Sequence, residues 1–303
     1  MNNCSHLQSN ELTGPCRTGS VLLLSLMLFV MSSPRTARAE LILGAEARIS
    51  YEDNVVGLLS ETRGPKNSNT GGGTLSGMSM KPGGMGSGKT PYTGVNGQSP
   101  SDVSLTLSGE AGAITDIGTS SSIYAKGFAQ NTSYDQYKDL DVTIAGVTAG
   151  VSTRLTDVFS AGLSAVGKMK RFRDDLRDST SYGGSVSLKE RLGRDLWLRE
   201  AVEVEKNDAR SPDFSYTGIT LSVRGGYFIT KRTLLTAGLG HLIQKYDVAN
   251  ASTFTADTFS IGAEQELTKR WSAAVDLDMQ SSRFAGDPDA SNNILSVAIR
   301  YNY

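Results

Sequence analysis

Three sets of residues in this chain have the types and spacing to do chemistry. The first is Gly83-Gly-Met-Gly-Ser-Gly-Lys89-Thr90, which matches G-x-x-x-x-G-K-[ST] at every position. In a phosphate-binding loop of that form the backbone amides and the next helix N-terminus cradle phosphates, and the lysine reaches the outer ones. That chemistry needs a buried strand before the loop and a helix after it. Here Met78-Ser-Met-Lys-Pro82 precedes the match and Pro91-Tyr-Thr-Gly94 follows it, and neither has the required pattern. No apolar run ending in paired acids occurs elsewhere, so the match reads as a by-product of a glycine-rich tract.

The second is His241, the only histidine after residue 39, in Gly238-Leu-Gly-His-Leu-Ile243. A lipid hydrolase would need a serine placed beside a histidine base. No serine motif of that kind is nearby, so the expectation is a structural histidine and no enzyme.

The third set is a series of charges at alternate positions. An extended segment has a side-chain period of two, so alternate residues share a face. Fixing that face by the apolar residues opposite places Glu46, Arg48 and Glu52 together, and then Lys168, Lys170, Lys189 and Arg191. Arg199, Glu203, Glu205 and Arg224 follow, then Glu264, Glu266, Asp276, Asp278 and Arg300. Glu200 falls on the other face, a sign that single residues can be displaced by bulges. In a closed sheet the basic members would form one wall and the acidic ones a wall about five strands away. Held apart by water, such walls make a transverse field that selects polar solutes. Meeting across the middle, they make salt bridges that fill the interior. Acidic loop tips at Asp174, Asp175, Asp178, Asp287 and Asp289 read as solvated charge, with no cofactor or metal site expected.

The elements that carry these residues are alternating runs joined by connections of two kinds. Tight turns read Asp116-Ile-Gly118, Thr156-Asp157, Gly193-Arg-Asp195, Thr230-Lys-Arg232 and Thr268-Lys-Arg270. Longer connections, rich in Asp, Asn, Ser and Pro, fall near 136–140, 173–180, 207–214, 247–253 and 285–292. Strands are predicted at 41–55, 102–114, 120–134, 141–154, 158–172, 181–192, 196–206, 215–229, 233–246, 254–267, 271–284 and 293–303. Short and long connections alternate strictly, as short periplasmic turns and long outer loops do in membrane barrels. Aromatic residues form two groups. Phe159, Trp197, Tyr227, Phe228, Trp271, Tyr301 and Tyr303 lie beside tight turns or the C-terminus. Tyr51, Tyr134, Tyr137, Phe172, Tyr182, Phe214, Tyr216, Tyr246, Phe254 and Phe284 lie beside long loops. Read as interfacial girdles, they bracket a band of small and aliphatic residues. Residues 57–101, dense in Gly, Ser, Thr and Met, connect the first two strands and read as a long outer loop.

The final strand runs Ile294-Leu-Ser-Val-Ala-Ile-Arg-Tyr-Asn-Tyr303, with Leu295, Val297, Ile299, Tyr301 and Tyr303 on one face. It resembles the C-terminal assembly signal of Gram-negative outer-membrane β-barrels, which ends in an aromatic residue. The expected fold is therefore an all-β, transmembrane, antiparallel up-and-down barrel of about 12 strands. A second resemblance lies in Ala47-Arg-Ile-Ser-Tyr51-Glu-Asp53-Asn54-Val-Val-Gly57, which is similar to the opening of barrels associated with exopolysaccharide export and PEP-CTERM systems. That family implies export or surface display of polymer.

Arg17, the apolar run Val21–Met31 and Ala37-Arg-Ala39 have the form of a secretory signal peptide, expected over 1–39, with the barrel at 40–303. The run is shorter than the roughly 20 residues of a spanning helix. Cys4 and Cys16 would be removed with it, leaving no disulfide, thiolate or acylated cysteine. Arg17, Arg35 and Arg38 against Glu11 give the presequence +2, so the formal −1 of the whole becomes −3 for the remainder, which argues against nucleic acid. The expected location is the outer membrane of a Gram-negative bacterium. The partners are lipid bilayer and lipopolysaccharide, the barrel-assembly machinery through 294–303, and envelope export components. The expected function is a porin-like channel for polar or charged solutes, or a part in export. The alternative is a non-conducting barrel with a plugged lumen that displays loop 57–101.

Overall fold

The computed structural model describes residues 39–55, 101–247, 253–284 and 290–303. The expected signal peptide, apart from Ala39, lies outside these residues, as do 56–100 with the phosphate-loop match. Twelve strands are present: β1 Ala39–Glu52, β2 Asp102–Ile117, β3 Ser121–Tyr134, β4 Val142–Arg154, β5 Phe159–Phe172 and β6 Ser179–Arg191, then β7 Leu196–Ala209, β8 Tyr216–Thr230, β9 Thr233–Tyr246, β10 Thr253–Glu266, β11 Trp271–Phe284 and β12 Ala290–Asn302. Each pairs antiparallel with its sequence neighbours, and β1 pairs with β12, so the sheet closes. The strand count and the up-and-down order match the sequence expectation.

The alternation that makes these segments strands also sets their faces. Buried side chains are mostly polar or charged, while Leu41, Ile49, Leu105, Val186, Leu239, Ile261 and Val297 are exposed outside. This is the reverse of a water-soluble fold, and it is what a barrel with an apolar belt and a polar interior requires. A strand of 14 residues, as in β1, tilted at about 40°, rises about 35 Å, more than the apolar band of about 25 Å. The surplus explains outward charges near the strand ends, such as the Lys206–Asp247 pair.

Three tight turns are made by one local device. The hydroxyl of Thr156 accepts from the amides of Val158 and Phe159. Thr230 accepts from Arg232 and Thr233, and Thr268 from Arg270 and Trp271. A threonine that mimics a backbone carbonyl in this way reverses the chain in few residues. The turn at Gly118 uses a positive φ of 72° instead, which favours glycine. At the other end, Asp141 accepts from the Tyr134 amide at 2.7 Å and Asp178 from the Phe172 amide at 2.8 Å, closing two of the longer loops.

Closure of the barrel is completed by the residues just past β1. Asp53 takes the amide and the side-chain amide of Asn293 at 2.6 Å each. The Asn54 amide donates to the Asn292 side-chain carbonyl at 3.1 Å, and its Nδ2 donates to the Ser291 carbonyl at 2.8 Å. Asp53 and Asn54 thus clasp the start of β12 at the loop end of the seam. Asp53→Ala is expected to lower stability by about 1–2 kcal/mol, the size of two charge-assisted bonds at a part-exposed site. The check is the melting of the heat-modifiable band in gels; an unchanged midpoint would deny the clasp its role.

The two-girdle reading needs correction. Tyr227, Trp271 and Tyr303 do stand outward at the turn end, with Trp271 edge-on to Tyr301 at 5.1 Å. Trp197, however, shares the inward face of Arg199. At the loop end, among the described side chains of that group, only Tyr51 and Tyr182 are exposed outside within strands. Tyr216, Tyr246 and Phe254 are buried together with Leu242 and Ala256, and Tyr134 with Val55 and Leu140. Height along a strand, which the belt reading used, does not fix the face; parity does.

Candidate functional site: the barrel lumen

The inward charges fall into separate assemblies, each built by cross-strand register. On β10, β11, β12 and β1, Arg300 donates through Nε to Glu46 at 2.6 Å and through Nη1 to Glu264 at 2.7 Å. Arg48 bridges Glu46 at 2.7 Å and Asp276 at 3.4 Å, and Arg300 reaches Asp276 at 3.6 Å. Ser272 donates to the other Glu264 oxygen at 2.8 Å. Arg48, Arg300, Glu46 and Asp276 are all buried. The acidic wall is therefore largely neutralised: two arginines sit among three carboxylates, where the sequence alone left open whether the charges stay apart or meet in salt bridges. Barrel closure is the cause, because pairing of β1 with β12 sets Glu46 directly opposite Arg300.

A second assembly joins β5 to β7. Glu205 receives Lys168 at 2.9 Å and Lys170 at 3.2 Å, and the Tyr216 hydroxyl lies 3.4 Å from the same carboxylate. Lys170 is fully buried. A third, which the sequence reading missed, is the Lys126–Glu110 pair at 2.9 Å between β3 and β2. Its signal was present, since Glu110 shares the parity of Ser104 and Thr106 on β2. Arg177 was missed as well. It lies in a short 3-10 turn, where no period marks a face, and its guanidinium stacks on Phe172 at 4.2 Å. Asp278 is fully buried on β11, and Glu203 and Glu266 are half-buried on β7 and β10.

The remaining basic residues form a row. Lys189 is directly opposite Arg199, and Arg199 directly opposite Arg224, across β6, β7 and β8. All three are half-buried, and Arg191 lies at the exposed end of β6. Arg199 donates to the Ser187 hydroxyl at 3.2 Å, and Arg224 to that of Thr236 at 3.4 Å. Lys189 sits 5.1 Å from the Trp197 ring centre. Among the described residues none of the three has an ion-pair partner. Arg224 lies within electrostatic reach of Asp276, Glu264 and Arg300 on the other wall. The opposed walls thus exist in the turn-side half, with three bare cations against a cluster whose formal charge is one negative.

His241 is on the outward face, its Nδ1 2.7 Å from Asp257. Its cross-strand neighbours are Leu221 and Asp257, and neither is the serine that a histidine-based lipid hydrolase would need. Of the acidic loop tips, Asp178 pairs with Arg171 and Asp175 with Arg210, and Asp174 accepts from the Leu176 amide. Asp287 and Asp289 lie outside the described residues.

A likeness among solved structures bears on the architecture. An outer membrane channel from Pseudomonas putida F1 superposes with a TM-score of 0.58, covering 89% of this chain and 99% of that one at 10% identity. That likeness shows the fold. The NanC porin matches 85% of this chain and 98% of its own at 10% identity, with a TM-score of 0.44. No family model and no curated protein matches the sequence. The chain is a closed 12-stranded antiparallel barrel of the kind found in outer-membrane channels.

Proposed function

We propose that this protein is a narrow outer-membrane channel for polar or charged solutes, and not an enzyme. The observation that carries the reading is the inward row of half-buried cations without an ion-pair partner in a barrel whose outer face is apolar. A barrel built only as a scaffold gains nothing from bare charge inside, whereas a channel gains selectivity from it. Twelve strands fall between a side-chain-filled barrel of eight and the open pores of sixteen or more, so a narrow path fits the architecture. In this reading the outer face meets lipid and lipopolysaccharide, and 294–303 is the segment handed to the barrel-assembly machinery. Export of a polymer, implied by the resemblance at Tyr51–Asn54, would use the same lumen in the outward direction.

A second reading is favoured by a different observation. Inward residues of the loop-side half, including Lys170, Asp278, Gln244, Tyr246 and Asn292, are buried, which suits a plugged, non-conducting barrel. Single-channel recording of refolded 40–303 in a planar bilayer separates the two. Discrete steps that favour anions, with the preference reduced in Arg199→Gln, are the expected outcome. A correctly folded barrel that stays silent would refute the channel and leave the plugged scaffold.

A further inference from the structure

The row on β6–β8 differs from every other group of inward cations among the described residues. Lys126, Lys168, Lys170, Arg48 and Arg300 each have a carboxylate at ion-pair distance. Like charges directly opposite on adjacent strands destabilise a sheet, and here two such oppositions occur in succession. The register supplies no relief. On the loop side the next inward row is Ser187, Ala201 and Ser222, and on the turn side it is Arg191, Trp197 and Gly226. Glu203, the nearest inward acid along β7, is two inward positions from Arg199. The Arg224 Nε is buried and makes no hydrogen bond. Carboxylates reach this row only at a distance, Glu203 toward Arg199 and Asp276 and Glu264 toward Arg224, and none lies at ion-pair distance, so contact counter-charge is left to come from solution.

We propose that Lys189, Arg199 and Arg224 form a binding site for a small multivalent oxyanion, one carrying two or more carboxylate or phosphate groups. The proposal rests on the channel reading for its purpose, and it names the solute class of that lumen. Adjacent strands are about 4.8 Å apart, so three cations in one row present charge over about 10 Å. That spacing suits anionic groups about 5 Å apart. The guanidinium forks add bidentate geometry that a single point charge lacks. The floor is built to match. The Trp197 ring lies over Gly226, where an added Cβ would meet the ring at 2.4 Å, and Lys189 rests on the same ring. Trp197 therefore positions the lysine and reports on it. On β3, Tyr124 brings its hydroxyl over Gly150, 2.6 Å from where a Cβ would stand, and lies within electrostatic reach of Arg199.

The test is a titration of folded, micelle-held Trp271→Phe barrel with inorganic pyrophosphate, read by Trp197 fluorescence. Saturable change is expected, weakened at least tenfold by Arg199→Gln or Lys189→Gln, with sodium chloride of equal ionic strength giving none. Because the substitutions relieve like-charge opposition, Arg199→Gln should melt no lower than its parent, which separates lost binding from lost folding. Calorimetric titration of the unsubstituted barrel gives the same answer should Trp271→Phe fail to fold. No saturable binding, or binding indifferent to Arg199→Gln, would overturn the site. Pyrophosphate binding by a barrel silent in bilayers upholds the site and refutes the channel. Conductance without binding refutes the site and upholds the channel.

Discussion

Arg300→Ala is expected to lower the stability of the folded barrel by about 3–5 kcal/mol, the cost of leaving buried carboxylates without their cation. Arg300 bridges Glu46, Glu264 and Asp276, and it is itself buried. Its removal leaves Arg48 alone among three acids, on the seam where β1 meets β12. The loss should appear in urea unfolding of the reconstituted barrel as a lower midpoint. A second change supplies the control. Glu264→Gln in the same chain removes one stranded charge and should recover part of the loss, because residues of one network are not additive. A loss below about 1 kcal/mol for Arg300→Ala would show that water, and not arginine, neutralises these acids.

Glu205→Gln is expected to cost about 3 kcal/mol for the same reason with the signs reversed. This carboxylate is shared by Lys168 and the fully buried Lys170. The neutral amide keeps the shape and a hydrogen-bond acceptor, so the loss reads charge and not volume. Lys168→Met in the same chain should restore most of it. Glu205→Gln alone also adds one formal positive charge to the lumen, so a conducting barrel should become more anion-selective. Reversal potentials in a salt gradient measure that shift, and a move toward cations would contradict the placement of these lysines on the solute path.

The contrast between these two assemblies and the β6–β8 row has a physical basis. Ion-paired charges inside a barrel hold neighbouring strands in register and fill space. A bare row weakens the sheet and leaves charge available. Stability and function are therefore assigned to different rows of inward residues in one closed sheet, with β7 contributing Glu205 to one and Arg199 to the other, and substitutions in the two should move melting temperature in opposite directions.

Much of this architecture was legible in the residues. Alternation in Leu295, Val297, Ile299 and Tyr301, the threonine turns at Thr156, Thr230 and Thr268, and polar loops between them are local signals. They determine strand number, order and the inward face, because each depends on a residue's own period or on hydrogen bonds spanning two or three residues. Parity also put Lys168, Glu205, Asp276 and Arg300 on one face. Parity says nothing about rows. Which inward residue stands beside which depends on the stagger between strands, set by turn geometry and by closure of the sheet. Only the tertiary structure could therefore set Glu46 opposite Arg300, residues at the two ends of the barrel sequence. It alone turned Asp53 and Asn54 into a clasp on β12, brought Tyr216, Tyr246 and Phe254 inside the mouth, and aligned Lys189, Arg199 and Arg224 in one uncompensated row.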